Sequence, residues 1–318
     1  MHTHQDARVL VVGEALTDVV TSDDGNHREH PGGSPANVAV TLGRLGHRPQ
    51  FATCLGEDDR GRRLRAWLSE SGVRLTEGSV GSGPTSVAAS RLRPDGSARY
   101  EFALTWAPVL PRAGNAGVVH VGSVATLLEP GAGDVLRLVE EARATATVTY
   151  DPNLRPTICP DRLAVRRRVE RLVQLADVVK VSDEDLAWLY PGEPFEEVLR
   201  SWAGGGPAVV VGTRGADGAV LRAGDVHLKV PGRRVEVVDT IGAGDAFMGG
   251  LIHGLLVADL DGAERREQLR ATDGSVLTEI VEHAVAIATA TVARAGANPP
   301  WRHETVRYRT GADPLVAT

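Results

Sequence analysis

The sequence predicts an α/β protein, a three-layer α/β/α sandwich around a mostly parallel sheet, with a small β-sheet set apart as a lid. Three observations lead there. Short apolar, β-branched runs alternate with helical patterns along most of the 318 residues. Hydrophobic residues make up 42% of the chain but aromatic ones only 4%, so the core must be aliphatic, as in strands buried between helix layers. Between Pro84 and Leu104 the alternation lapses into two strand-like runs with no helix between them.

In order, Arg8 to Gly13 reads as a buried first strand. Thr21 to His30 is polar and leaves the sheet. Ser34 looks like an N-cap with Pro35 at the first helical position, and the helix would stop at Gly46. Phe51 to Leu55 is the next strand and Arg60 to Ser71 a helix. Thr85 to Leu92 and Ala98 to Leu104 pair around Pro94-Asp95-Gly96. With residues of about 15–31 they would build the lid, over about 15–31 and 84–106, and a closed lid excludes water. Alternation resumes with strand Val118 to Val121, helix Asp134 to Arg143, strand Thr147 to Tyr150, helix Asp161 to Leu175 and strand Val178 to Val181. Helices near Asp183 to Leu189 and Phe195 to Trp202 precede strand Ala208 to Val211 and a hairpin around Gly224-Asp225. A strand Val235 to Val238, a helical run Ala246 to Leu256 and a helix near Ser275 to Ala295 complete a single domain over 1–318.

Bulk chemistry excludes several classes. A net charge of −6, with Arg166-Arg167-Arg168 as the sole basic block, argues against nucleic acid. Cys54 and Cys159 suggest neither a disulfide framework nor a zinc site, which fits a reducing cytoplasm. No signal peptide stands at the N-terminus, where His2 and His4 read as a frayed end, and no apolar run approaches the ~20 residues of a membrane helix.

The most informative stretch is Asp239-Thr240-Ile241-Gly242-Ala243-Gly244-Asp245-Ala246-Phe247. A glycine turn opening a helix points several N–H groups at one place and binds an anion. Asp245 would repel a phosphate there unless it takes a proton from an attacking hydroxyl. The same residue also suits a plain helix start, where an acid complements the macrodipole.

Five further motifs lie at strand or helix ends. In Gly32-Gly33-Ser34-Pro35-Ala36-Asn37 two glycines permit close approach, and Asn37 could donate to and accept from a sugar hydroxyl. In Gly13-Glu14-Ala15-Leu16-Thr17-Asp18 the last residue could accept from two hydroxyls at the sheet edge where α/β ligands collect. Asp151-Pro152-Asn153-Leu154-Arg155-Pro156 offers Arg155 to a phosphate. Lys180-Val181-Ser182-Asp183-Glu184-Asp185 is a well-capped helix start, or places Asp185 near hydrated Mg²⁺. Gly212-Thr213-Arg214-Gly215-Ala216-Asp217-Gly218-Ala219 could pass close to a nucleotide. Each also reads as an ordinary turn.

Together and in this order these motifs resemble the ribokinase-like (PfkB-type) carbohydrate kinases, from Val9 to about Pro300. The most specific parts are 32–46 and 239–247; Gly56-Glu57-Asp58-Asp59-Arg60-Gly61 also fits. The resemblance implies ATP-dependent transfer to a sugar hydroxymethyl group. It makes Asp245 the general base and the N–H groups of Gly242, Ala243 and Gly244 the anion hole. Asp18, Gly32, Gly33, Asn37 and Arg155 fall on the sugar side. Ser182, Thr213, Gly215, Gly218 and Asn298 fall on the nucleotide side. It implies ATP and Mg²⁺, with Asp185 acting on the metal through water, and places a monovalent cation, K⁺, at Asp239. Many relatives carry Asn-x-x-Glu where this chain has Ser182 to Asp185; fructokinase-like members often show a similar Val-Ser-Asp-Glu run, and residues 13–18 and 151–156 also resemble most the fructokinase and 2-keto-3-deoxygluconate kinase branch. A fructokinase-like enzyme is the expectation, with 2-keto-3-deoxygluconate kinase, ribokinase, nucleoside kinase and a non-catalytic sugar-binding regulator as the alternatives. A dinucleotide oxidoreductase is disfavoured because no Gly-x-Gly-x-x-Gly follows the first strand. The lid's edges could pair two copies as a homodimer, and Tyr100, Phe102 and Trp106 are the lid residues expected to shape the pocket.

Overall fold

The computed structural model describes residues 8–21, 27–92 and 98–305. It starts with β1 (Val9–Val12), whose side chains leave alternately on two faces. Val9 and Val11 join one apolar cluster, Leu10 and Val12 a second. Both sets are buried only if helices cover both faces, so the run is continuously apolar.

β2 (Leu16–Thr21) and β3 (His27–Gly32) leave that sheet, and the chain returns through α1 (Ser34–Arg44). Next come β4 (Gln50–Ala52), β5 (Leu55–Gly56), α2 (Asp59–Glu70), β6 (Arg74–Leu75) and β7 (Val80–Gly81). A hairpin, β8 (Val87–Leu92) and β9 (Ala98–Ala103), follows. Alternation runs through β10 (Val118–Gly122), α3 (Gly131–Ala142), β11 (Thr147–Asp151), α4 (Arg162–Leu175), β12 (Val178–Ser182), α5 (Asp183–Leu189), α6 (Phe195–Ala203) and β13 (Val209–Thr213). β14 (Ala219–Ala223), β15 (Val226–Val230), α7 (Ala243–Val257), α8 (Arg266–Arg270) and α9 (Gly274–Val292) close the described chain.

The large sheet has the order β15-β14-β13-β12-β11-β10-β1-β4-β6, parallel from β13 to β6 with an antiparallel hairpin at one edge. Residues of α1, α2, α7 and α9 fill the cluster on one face, and residues of α3 to α6 fill the other. The two excursions meet in a separate sheet, β3-β2-β8-β9. Asp58 anchors it. Its carboxylate caps α2 by accepting from the Gly61 N–H at 2.8 Å and accepts from Thr85 N and Oγ1 at 2.9 and 2.7 Å, just before β8. Those donors hold its carboxyl down to about 2.

Four sequence expectations change. Val235 to Val238 is not a strand: Val237 and Val238 are exposed, and the Val238 and Asp239 N–H groups both turn to the Val292 carbonyl. After the edge strand β15 the chain crosses to the end of α9, where no strand offers a partner, so β-branched composition alone cannot make one. α7 accordingly opens at Ala243, out of a loop. Phe51 to Leu55 divides into β4 and β5, which pair with different neighbours. Finally, α9 is long and apolar enough by composition to cross a membrane. Glu279 and Glu282 interrupt the run and hide it from inspection. Its Leu277, Ile280, Val281 and Ala284 are buried in the core against α7, where Gly250 lets the Ala284 backbone approach to 2.9 Å of the space a side chain would take. The turn Pro94-Asp95-Gly96, His2 and His4 lie outside the described residues.

The fourth change concerns Ser34. It is the first residue of α1, not its cap; Gly33 holds the cap position at φ 104, with no side-chain capping bond. The Ser34 hydroxyl is thereby free for a tertiary partner.

Candidate active site

Gly242 caps α7, and its φ of 75 is left-handed. A side chain there would also press on Ala297 Cβ at 2.6 Å. The Ala243 N–H donates to the Thr240 carbonyl at 3.3 Å, while those of Gly242, Gly244 and Asp245 find no protein acceptor among the described residues. Of the three predicted anion-hole donors, Ala243 is therefore engaged internally in this conformation.

Asp245 is 5% exposed, in the first turn of α7. Its Oδ1 accepts from Ser34 Oγ at 2.7 Å and Asn153 Nδ2 at 3.1 Å, and its Oδ2 from Asn37 Nδ2 at 2.7 Å. Donors from α1 and from the segment after β11 thus converge on one carboxylate at the carboxyl edge of the sheet, where ligands of open α/β folds bind. Asn37 spends its amide nitrogen on Asp245, and its buried Oδ1 has no partner. An orphan acceptor of that kind costs roughly 1–3 kcal/mol unless a ligand donor satisfies it.

Asp18 lies on β2, directly opposite His30 of β3 and with its carboxylate against Gly32. Burial pushes its carboxyl up to about 6, with Asp245 pushing the same way and Arg155 and His30 opposing. Glu14 is pushed to about 7, again by burial, with Arg155 among the opposing groups. Arg155 therefore acts on the Asp18 side of the site. Its guanidinium donates to Asn153 Oδ1 at 2.6 Å and to the Asn153 and Leu154 carbonyls at 3.2 and 2.9 Å. That arrangement orients Asn153.

Asp185 accepts from the Leu154 N–H at 2.9 Å through Oδ1 and from the Ser182 N–H at 3.4 Å through Oδ2, and Ser182 Oγ accepts from the Asp185 N–H at 3.0 Å. This capping box pins the 153–155 segment to α5. Both oxygens thus accept from backbone N–H groups, which fix the carboxylate in place. Behind them Lys180 Nζ pairs with Asp151 Oδ2 at 3.0 Å, both side chains at most 4% exposed. Burial pushes the Asp151 carboxyl up to about 6 against the pull of Lys180. Burial would lower the Lys180 ammonium, but Asp151, Asp185 and Asp245 together hold it above its ordinary value.

On the other flank, Ser182 and Thr213 face each other at the ends of β12 and β13. Gly215 is at φ 49 with open space beside it, whereas Gly218 packs against the Val230 carbonyl as a hairpin residue. Asn298 Oδ1 accepts from Arg44 Nη1 at 2.5 Å, and Arg44 stacks on Trp301. Asp239 accepts from the Ile241 and Gly296 N–H groups at 3.0 and 2.9 Å, joining two loops. No group of three or more His, Cys, Asp or Glu able to hold a metal occurs among the described residues.

The pfkB family carbohydrate kinase profile matches residues 6–304. The chain belongs to this family. The carbohydrate kinase is 34% identical to fructokinase-1 of Zea mays over 92% of this chain and 94% of that one. It superposes on fructokinase with bound ATP from Xylella fastidiosa with a TM-score of 0.82 and 26% identity, covering 95% of this chain and 98% of that chain. A double variant of Vibrio cholerae O395 fructokinase, holding fructose, ADP and a potassium ion, is 27% identical with a TM-score of 0.76, covering 92% of this chain and 94% of that chain. The kinase is a phosphotransferase with an alcohol acceptor and a ribokinase-like fold.

Within the kinase, sequence reasoning put Asp245, Asn37, Gly33, Gly242 and Gly244 in one place, and the fold brings them together. It passed over Ser34, Asn153, Asp151 and Lys180 as individual site residues. Ser34, Asn153 and Asp151 stand inside motifs quoted for other members. Lys180 also opens a quoted motif, where it gave only the signal of a lone cation within an apolar strand.

Proposed function

We propose that this enzyme transfers the γ-phosphoryl group of ATP to a primary hydroxyl of fructose. The observation that carries the reading is the shielded Asp245 carboxylate, clamped by Ser34, Asn37 and Asn153 beside unspent N–H groups of α7. Asp245 takes the proton of the hydroxyl as its oxygen bonds to the γ-phosphorus. The bond from that phosphorus to the β,γ-bridging oxygen breaks, and ADP leaves. N–H groups at the helix start balance the charge on the transferred group. The orphan Asn37 Oδ1 and the Asp18 carboxylate suit sugar hydroxyl donors. Fructose rests on the similarity to the maize and bacterial enzymes.

Mg²⁺ carried by the nucleotide would neutralise phosphate oxygens, and the fixed Asp185 carboxylate would act on it through hydration water. A K⁺ ion at Asp239 would bridge the loops that its carboxylate already joins. The β3-β2-β8-β9 sheet acts as the lid of one domain, its edges offering a homodimer contact, in a cytoplasmic enzyme. A sugar suits the pocket better than a purine, because Trp106 is buried with its indole donating to the Ala125 carbonyl at 2.8 Å and offers no stacking face.

ADP release with ATP, Mg²⁺ and a panel of fructose, 2-keto-3-deoxygluconate, ribose, adenosine and tagatose 6-phosphate tests the reading. Highest kcat/KM on fructose supports it; preference for another acceptor reassigns the substrate, and no turnover on any of them removes the kinase mechanism.

A further inference from the structure

Lys180 is a buried cation in the middle of β12, and its ammonium lies under the first turn of α7. A methyl group at Gly244 would stand 2.9 Å from Lys180 Nζ and 3.9 Å from its Cε. Gly244 has no left-handed backbone angle to explain its glycine. The missing side chain is the space the ammonium needs. A cation at a helix N-terminus faces the positive end of the macrodipole, an unfavourable placement unless an anion joins it. Asp151 Oδ2 takes one ammonium proton, and the other two have no acceptor among the described residues. The N–H groups of Gly242, Gly244 and Asp245 are equally unspent. Asp151 Oδ1, buried and without a partner, leaves the pair itself incompletely satisfied. Shielded donors are normally satisfied, so donors from two elements left over at one point mark a place for anionic oxygens.

We propose that Lys180 contacts the γ-phosphoryl group and neutralises the charge that gathers on it during transfer, with Asp151 holding the ammonium in place when no phosphate is bound. This rests on the kinase reading above. Lys180 keeps its protons throughout; the only proton moved goes to Asp245. The competing account is structural, in which Lys180 merely neutralises Asp151. A pair-neutral variant separates the two, because Asp151→Asn with Lys180→Met removes both charges together.

Calorimetric titration with ADP and with a non-hydrolysable ATP analogue, on the wild type, on Lys180→Met and on the double variant, tests the inference without any acceptor. The contact predicts that both variants lose at least about tenfold in affinity for the analogue while ADP affinity stays within about twofold, the loss of one charge-assisted contact. With fructose, kcat should fall by ~10²–10³, as for loss of a transition-state donor, at little cost in sugar KM. The double variant should regain the melting temperature without regaining kcat. Recovery of wild-type kcat and analogue affinity in the double variant, or equal losses for ADP and analogue, overturns the role of Lys180. A wild-type chain that binds neither nucleotide overturns the kinase reading itself.

Discussion

Asn153 Nδ2 donates to Asp245 Oδ1 at 3.1 Å, across 92 residues of chain. The bond has only one sense. Arg155 donates to Asn153 Oδ1 at 2.6 Å, so the amide nitrogen must turn toward the carboxylate. The 153–155 segment, which opens at Asn153 with φ 37, thereby fixes one edge of the Asp245 carboxylate from outside its own helix.

Asp245→Asn should lower kcat by at least about a hundredfold, the usual share of general-base help. Binding of the ATP analogue and of sugar should survive, because the amide keeps the shape of the carboxylate. Steady-state ADP release and calorimetry check both halves, and near-normal turnover would take Asp245 out of the mechanism.

Asn153→Ala removes one donor from the carboxylate and the acceptor of Arg155. A hydrogen bond to a charged group contributes about 1.5–3 kcal/mol, so a loss of roughly tenfold to a hundredfold in kcat is expected. Nucleotide affinity should change little. A fall confined to nucleotide affinity would show that Asn153 serves another group.

Gly242→Ala places a side chain on a left-handed residue and within 2.6 Å of Ala297 Cβ. Backbone strain of that kind costs of order 1–3 kcal/mol. The urea midpoint should drop and activity should fall by more than stability explains, since the N–H groups of the bend must move. An unchanged midpoint would mean that the bend relaxes freely.

Sugar affinity should weaken in mild acid. Asp18 has its carboxyl raised to about 6, so below that pH it carries a proton and loses acceptor capacity. KM for sugar should therefore rise as pH falls through about 6, and Asp18→Asn should flatten that profile. An inflection that persists in the variant assigns the effect to another group, with Glu14 the next to test.

The contribution of two buried histidines to stability should also fall in acid. Burial lowers His47 to about 4 and His120 to about 3, so both stay neutral in the fold while the unfolded chain takes up protons from about pH 6.5 downward. Through these two rings the unfolded state binds more protons, which removes stability as pH drops from about 6.5 toward 3, while the raised carboxyls of Glu14, Asp18 and Asp151 act the other way between about pH 7 and 4. The melting temperature of the wild type relative to His47→Gln should therefore fall as pH drops from about 6.5 to about 4. A difference that does not change with pH would mean that the His47 ring is hydrated in the fold.

Much of the fold was legible because strand and helix periods are local. The parallel run from β10 to β13 and the helices between follow their apolar patterns within a few residues, and the two hairpin segments of the smaller sheet carry alternation without a helix. The exceptions had local signals of the right kind in the wrong surroundings. Val235 to Val238 has the composition of a strand but no neighbouring strand to pair with. Ser34 has the chemistry of a cap, yet Gly33 occupies that position and frees the hydroxyl for Asp245.

By itself the sequence determined the layered α/β plan, the glycine bend before Asp245 and the group of chemistry such a bend supports, because each depends on residues adjacent along the chain. Only the tertiary structure decided which side chains hold the carboxylate, which amides of the bend stay unspent, that Arg155 turns toward Asn153, and that Lys180 lies under Gly244. Those are distances between segments far apart in sequence, fixed by how α1, the β11 and β12 ends and α7 meet at one edge of the sheet, and no local pattern encodes them.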